Sequence, residues 1–258
     1  LSEEFPDHFV LFKPRDIVSG DYYWTSRVNG NLLIAVADCT GHGVPGGFLS
    51  MLGVTSLNEI VTRTGLVNPH LILDRFRDQL IDTLHQKSDR SGANDGIEIA
   101  LCTIDREEQL LDYSGANRPI YLVREKNGKE AASLLEEMNS TRGSEDDVRL
   151  GESDTHWLLQ LRPDRSPIGL YEQDPVPFSS LQTPLRKNDT LYMFSDGYVD
   201  QLGGPSRKTF RARRFRKLLL EVQHLPMHSQ KKALIEKYEE WRGEVEQIDD
   251  ILVVGIRI

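Results

Sequence analysis

Aspartates stand at the ends of strand-like runs from one end of this chain to the other, and that placement constrains the fold more than any other feature. Asp21 lies in Ser19-Gly20-Asp21, where the run Asp21 to Thr25 begins. Asp38 ends the apolar run Leu32-Leu33-Ile34-Ala35-Val36-Ala37. Asp196 follows the run Thr190 to Phe194, and Asp249-Asp250 opens the last run, Ile251 to Ile258. Carboxylates held at strand ends can converge on one site, where they repel one another unless cations neutralise them. Hard oxygen ligands of this kind suit Mg²⁺ or Mn²⁺.

The pattern between these points predicts an α+β fold. Val10 to Phe12 reads as a short strand, and Val28-Asn29-Gly30-Asn31 as a hairpin turn leading into the buried strand that Asp38 ends. Cys39 to Gly47 is a glycine-rich loop. Phe48 to Thr62 is apolar at helical spacing, and a second amphipathic segment follows Asn68, a candidate N-cap; these two helices are expected near 46–62 and 69–87. Strands return at Ile97 to Ile104, Leu110 to Tyr113 and Ile120 to Val123. Residues 125–154 read as a polar, acidic surface excursion, Trp157 to Leu161 as a strand, and Leu202 to Lys208 as a polar loop. Phe215 to Gln223 and Gln230 to Trp241 form a second helix pair, broken by Pro226. Helices that come in adjacent pairs, rather than alternating with strands, argue against a doubly wound parallel sheet. The first and last strands both carry site candidates, so residues 1–258 are expected to form a single domain.

Composition narrows the function classes. The chain of 258 residues is 38 % hydrophobic and 28 % charged, as in a soluble globular protein. Its net charge of −9 argues against general nucleic-acid binding and against an anionic membrane surface. Cys39 and Cys102, the 2 cysteines, read as reduced thiols in a cytoplasmic protein. No apolar stretch approaches the ~20 residues of a membrane span, and no signal peptide is recognisable. The chain starts at Leu1 rather than Met, and is expected to be the catalytic part of a longer sensor protein.

Gly41-His42-Gly43-Val44-Pro45-Gly46 matches G-x-G-x-x-G after a strand, the dinucleotide fingerprint. That fingerprint needs an acidic residue ending a second strand ~20 residues on, whereas Glu59 falls inside a helical segment, and Asp38 would repel a pyrophosphate. Asp38 alone could be a turn residue, but Phe194-Ser195-Asp196-Gly197 repeats its design. Taken together, Ser19-Gly20-Asp21, Asp38-Cys39-Thr40-Gly41-His42-Gly43, Ser195-Asp196-Gly197 and Asp249-Asp250 resemble the PPM (type-2C) metal-dependent serine/threonine phosphatases. The closer resemblance is to their bacterial SpoIIE/RsbU branch. Ser114-Gly115-Ala116-Asn117-Arg118-Pro119 and Ser166-Pro167-Ile168-Gly169 agree, in register over residues ~10–258.

The resemblance implies an α-β-β-α sandwich of two antiparallel sheets flanked by helix pairs. It implies that Asp21 and Asp38 lie between two Mn²⁺ or Mg²⁺ ions, with the backbone carbonyl of Cys39 as a further ligand. Asp196 and Asp249 would complete the second ion's shell, and water between the ions would be the nucleophile. Asp250 is expected to orient its neighbours rather than bind metal. Cys39, beside an acidic site, is not expected to be a nucleophile. His42 is a candidate general acid, against a loop histidine bonded to backbone. Arg15 is the candidate phosphate-binding residue and Arg118 a weaker one. Ala116 stands where relatives carry a third-metal aspartate, so a third ion has no secure ligand, with Asp95 a substitute; Leu252 replaces a common Thr. The implied substrate is a small phosphorylated regulator, a STAS-type anti-sigma-factor antagonist or similar partner-switching protein, in some relatives linked to biofilm or cyclic-di-GMP output. Helices 46–62 and 69–87 are expected to couple regulation to the site and to form a homodimer contact. The basic run Arg207 to Lys217 reads as a solvated surface or a docking patch. Two rivals stand beside this: a silent phosphoprotein-binding pseudophosphatase, and a two-metal phosphodiesterase, for which the 7 histidines show no clustered ligand spacing.

Overall fold

The computed structural model describes residues 5–84, 96–126, 131–141, 147–169 and 175–258. Its strands are β1 His8–Lys13, β2 Tyr22–Val28, β3 Asn31–Cys39, β4 Ile97–Asp105, β5 Leu110–Ala116, β6 Ile120–Glu125, β7 Asn139–Ser140, β8 Val148–Glu152, β9 His156–Leu161, β10 Leu181–Pro184, β11 Thr190–Phe194, β12 Leu202–Gly203, β13 Lys208–Thr209 and β14 Ile251–Arg257. The helices are α1 Gly43–Thr64, α2 Pro69–Thr83, α3 Ala131–Glu136, α4 Gly197–Asp200, α5 Ala212–Glu221 and α6 Met227–Arg242. One sheet runs β1-β14-β11-β6-β9-β8 and the other β2-β3-β4-β5-β10-β7. Every named strand pairing is antiparallel.

Period-two alternation builds the layers. Along β3, Leu32, Ile34 and Val36 face the other sheet and meet Leu122, Leu191, Met193 and Val254. The intervening Leu33, Ala35 and Ala37 face outward and pack under Leu57, Ile60, Leu73 and Phe76 of α1 and α2. On the far side, Phe9, Tyr121, Tyr192, Phe194 and Val253 pack under Phe215, Leu219, Leu234 and Tyr238 of α5 and α6. Three apolar layers separate four structural ones, which is the expected α-β-β-α sandwich.

Several elements depart from the sequence expectation. α1 starts at Gly43, inside the stretch read as loop, because Pro45 falls in the first turn, where its missing N–H costs no helical bond. Asn68 is the N-cap of α2 by position, but its side chain makes no capping bond. α2 ends at Thr83 with Leu84 as its C-cap, short of the expected residue 87; residues 85–87, Asp95 and the start of the chain lie outside the described residues. Part of the 125–154 excursion is ordered structure: β8 pairs with β9, and Leu134 of α3 is buried in the inter-sheet core. The 202–208 loop contains the β12-β13 hairpin, and β10 is a strand the pattern does not announce.

Candidate metal centre

Register brings the aspartates together. In the β2-β3 hairpin Tyr22 pairs with Ala37, and continuing that register by one residue sets Asp21 opposite Asp38. Asp38 in turn pairs with Glu98 of β4. One edge of this sheet therefore carries three acidic residues side by side. In the other sheet Phe194 pairs with Val253, so Asp196 leaves β11 beside the point where Asp249-Asp250 enters β14. The two edges face each other at the same end of the sandwich.

Arg118 joins them. Its Nη2 donates to Asp38 Oδ2 at 2.6 Å, to Asp196 Oδ2 at 2.7 Å and lies 2.7 Å from Glu98 Oε2. Burial alone would pull this guanidinium down, but Asp38, Asp196 and Glu98 hold it above its ordinary value. The carboxylates move the same way for a different reason. Burial, opposed by Arg118, pushes Asp38 up to about 9, with Asp21, Asp196 and Asp249 adding repulsion. Burial also pushes Asp21 up to about 7, against the nearby Ser195 hydroxyl, and Asp249 is raised as well. Asp21 Oδ2 is buried without a hydrogen-bond partner.

Among the described residues no three His, Cys, Asp or Glu side chains form a ready-made ion cage, since three carboxylates close on Arg118 instead. The donor set nevertheless fits a divalent cation: all side-chain donors are hard oxygens that repel one another, Asp21 is buried with one oxygen unpartnered, and Asp38, Asp196 and Asp249 are partly buried around it. The backbone is cut to match. A Cβ on Gly20 would stand 2.7 Å from the Gly41 carbonyl oxygen and 3.1 Å from that of Cys39, so both carbonyls crowd the Asp21 turn. Gly46 is packed against the same Gly41 carbonyl and against Gly20, which brings the start of α1 onto the site.

The remaining candidates sit around this core. Asp250, 2 % exposed, accepts from Arg15 N at 2.7 Å and Gly20 N at 2.8 Å, so it ties the β1-β2 loop to the start of β14. The Arg15 guanidinium donates to Ile248 O at 2.8 Å, at the rim. His42 Nδ1 lies 2.8 Å from Asp16 Oδ2 on the exposed rim, so its partner is a carboxylate rather than the backbone expected of a loop histidine. Its charge, when present, favours ionised Asp249. Burial and then Asp38 push the Cys39 thiol up, which keeps it protonated. Of the basic run, Arg214 stacks on Trp241 and Arg216 reaches Gln160, so part of it is structural.

Sequence reasoning missed Glu98, and it named Arg118 only as a weaker phosphate candidate, whereas its guanidinium sits among three carboxylates. Glu98 is the one charged residue in Ile97-Glu98-Ile99-Ala100-Leu101, a signal open to reading. Asp200 was also missed: it lies four residues after Asp196, and burial and Asp196 raise it.

The α-β-β-α sandwich is the fold of PP2C domains. The chain belongs to the SpoIIE family: the family described as Stage II sporulation protein E (SpoIIE) matches residues 29–140 and 143–258. The SiaA-PP2C domain of Pseudomonas aeruginosa is similar at 27 % identity and a TM-score of 0.79, over 100 % of this chain and 89 % of that one. The PP2C phosphatase domain, with a fragment of the regulatory domain, of SpoIIE from Bacillus subtilis shares the fold at 15 % identity and a TM-score of 0.68, over 98 % of this chain and 63 % of that one. RsbX in complex with magnesium shares it at 13 % identity and a TM-score of 0.51, over 97 % and 94 %. Among curated proteins none matches in sequence. Among the described residues no helix is long and apolar enough to cross a membrane.

Proposed function

We propose that this chain is a metal-dependent protein-serine/threonine phosphatase acting on a small phosphorylated regulatory protein. The observation that carries the proposal is the meeting of Asp21 and Asp38 from one sheet with Asp196 and Asp249 from the other, at one end of the sandwich. Asp21, Asp38 and the Cys39 carbonyl would hold two Mg²⁺ or Mn²⁺ ions together with Asp196 and Asp249. The bound ions would supply the acidity that makes water nucleophilic near neutral pH and would neutralise phosphoryl charge. Asp250 fixes the Gly20 turn and so aims Asp21. Arg15, at the rim, is the residue offered to the phosphate. The substrate would be a STAS-type or similar partner-switching protein in the cytoplasm, and the chain a single catalytic domain, 1–258, of a longer sensor.

A homodimer through α1 and α2 has support in α1 itself. Val44, Phe48 and Met51 are exposed at i, i+4 and i+7, an apolar face on α1, and the half-exposed Val18 packs against Gly47 of the same helix. Phe48→Glu is expected to shift a dimer to monomer in sedimentation runs.

The test of the activity is hydrolysis of p-nitrophenyl phosphate and of a phosphoserine protein. Release is expected with Mn²⁺, not with chelator, and not from Asp38→Ala. Tight phosphoprotein binding without turnover, at saturating Mn²⁺, would replace the proposal with a pseudophosphatase.

A further inference from the structure

Arg118 holds its three carboxylates in an unusual way. Structural Arg–carboxylate pairs frequently use the planar fork, two parallel N–H···O bonds to one partner, as Arg124 does with Asp189. Here one nitrogen, Nη2, faces Asp38, Glu98 and Asp196, while Nε is buried without a partner. The backbone beneath is pinned. Asn117 is left-handed at φ 59°, Pro119 follows, Arg118 N donates to Ala116 O at 2.8 Å, and Tyr113 Oη donates to Arg118 O at 2.7 Å. Glu98 is pinned as well, accepting from Asn117 Nδ2 at 3.0 Å. The Arg118 side chain can therefore adjust over a fixed base.

Two of its three partners, Asp38 and Asp196, are also the residues assigned to the ions; Glu98 is not. A guanidinium nitrogen and a divalent cation within bonding distance of the same oxygens repel one another and compete for the same lone pairs.

We propose that Arg118 is an internal competitor of the metal, and that Glu98 is the carboxylate that keeps it when Asp38 and Asp196 turn to the ions. This rests on the metal-dependent reading above. The pair then sets the concentration of divalent ion at which the site fills. Arg118 is a positioning residue in this role, acting through Asp38 and Asp196. A cation that withdraws to Glu98 lowers the repulsion on loading. A cation with nowhere to withdraw raises it.

The experiment is Mn²⁺ affinity, read from the free-ion electron paramagnetic resonance signal, in the full chain and four variants. Arg118→Met is expected to bind Mn²⁺ about tenfold more tightly, because a unit positive charge leaves the site. Glu98→Gln is expected to bind about tenfold more weakly, since Arg118 loses its holding partner. The double variant has the formal charge of the parent, yet is expected to bind more tightly than the parent, which separates competition from net charge. Arg118→Lys keeps the charge and is expected to stay nearer the parent than Arg118→Met does. Should Arg118→Met fail to melt cooperatively, Glu98→Gln and Arg118→Lys decide. Affinity that is unchanged or weaker in a folded Arg118→Met, or unchanged in Glu98→Gln, overturns the inference while leaving the metal site in place. No Mn²⁺ binding by the parent chain overturns both.

Discussion

β6 has a buried arginine near each end, and the two are built differently. At the end away from the aspartates, Arg124 donates from Nε to Asp189 Oδ1 at 2.9 Å and from Nη2 to Asp189 Oδ2 at 2.6 Å, and Nη2 also reaches Pro184 O at 2.6 Å. Asp189 accepts in addition from Arg186 N at 2.8 Å, and both charged side chains are 1 % exposed. One cation meets one anion, in fork geometry, and the charge cancels. Near the other end Arg118 faces three carboxylates through one nitrogen, with Asp21 and Asp249 close by and Asp21 Oδ2 unpartnered. Negative charge is left over. Buried charge that balances is architecture. Buried charge that does not balance is stable only if something arrives to neutralise it, and the imbalance identifies the working end.

The sharpest break of this contrast is Asp38→Asn. Hydrolysis of p-nitrophenyl phosphate is expected to fall roughly 10³-fold or more, because one of the four carboxylates assigned to the ions is lost. Stability in chelator near pH 7 should rise, by about 1 kcal/mol, since asparagine spares the folded state the proton uptake that a carboxyl raised to about 9 requires. The parent's pH dependence follows the same sign. The folded carboxyls of Asp21 and Asp38 titrate at about 7 and about 9, above their ordinary 3.8, so the folded state binds more protons than the unfolded one between those limits. In chelator, stability should therefore fall as pH rises from about 4 to about 9, and urea midpoints across that range would show it. Mn²⁺ must displace those protons, so its affinity should rise with pH over the same window. Next comes the balanced end: Arg124→Met strands Asp189 in the interior and is expected to cost about 3–5 kcal/mol in urea unfolding. Mn²⁺ affinity should not move. A change in affinity would mean that the two ends are coupled through β6.

Part of this contrast is legible in the sequence. The two-residue Asn29-Gly30 turn, with φ of 51° and 84°, fixes the hairpin register, and counting outward from it sets Asp21 opposite Asp38. Asp196 and Asp249 are visible because one follows an apolar run and the other precedes one. Glu98 is different. It reaches Asp38 only through a pairing of β3 with β4 across both helices α1 and α2, and no local count supplies that register. Arg118 reads in sequence only as a weaker phosphate candidate, and its place among the carboxylates needs the stacking of the two sheets. The start of α1 was hidden because three glycines read as loop, while tertiary packing of Gly46 on Gly41 and Gly20 decides otherwise. β8 and β10 are short strands, at or next to a sheet edge, whose pattern is too brief to be periodic.

Shape can be separated from charge at the same end. Gly46→Ala adds no charge, but its Cβ would collide with the Gly41 carbonyl oxygen and press on the Gly20 turn. A cost of about 1–3 kcal/mol in stability is expected, together with weaker Mn²⁺ binding, because the carbonyls that crowd Asp21 must shift.

The smallest effect is expected at the rim, and it decides a role. His42 and Asp16 have side chains 48 % and 44 % exposed, so their ion pair is screened by water and worth under about 1 kcal/mol. If the pair only holds the loop ahead of α1, His42→Ala should lower the rate on p-nitrophenyl phosphate about threefold or less and leave the alkaline side of the pH–rate profile in place. That outcome is the expected one, because a group whose Nδ1 is taken by Asp16 stands at the edge of the carboxylates rather than among them. General-acid catalysis is usually worth about 10²–10⁴-fold. A loss of that size on a phosphoserine protein, with the alkaline limb abolished, would move His42 from the rim into the chemistry and extend the working end beyond its carboxylates.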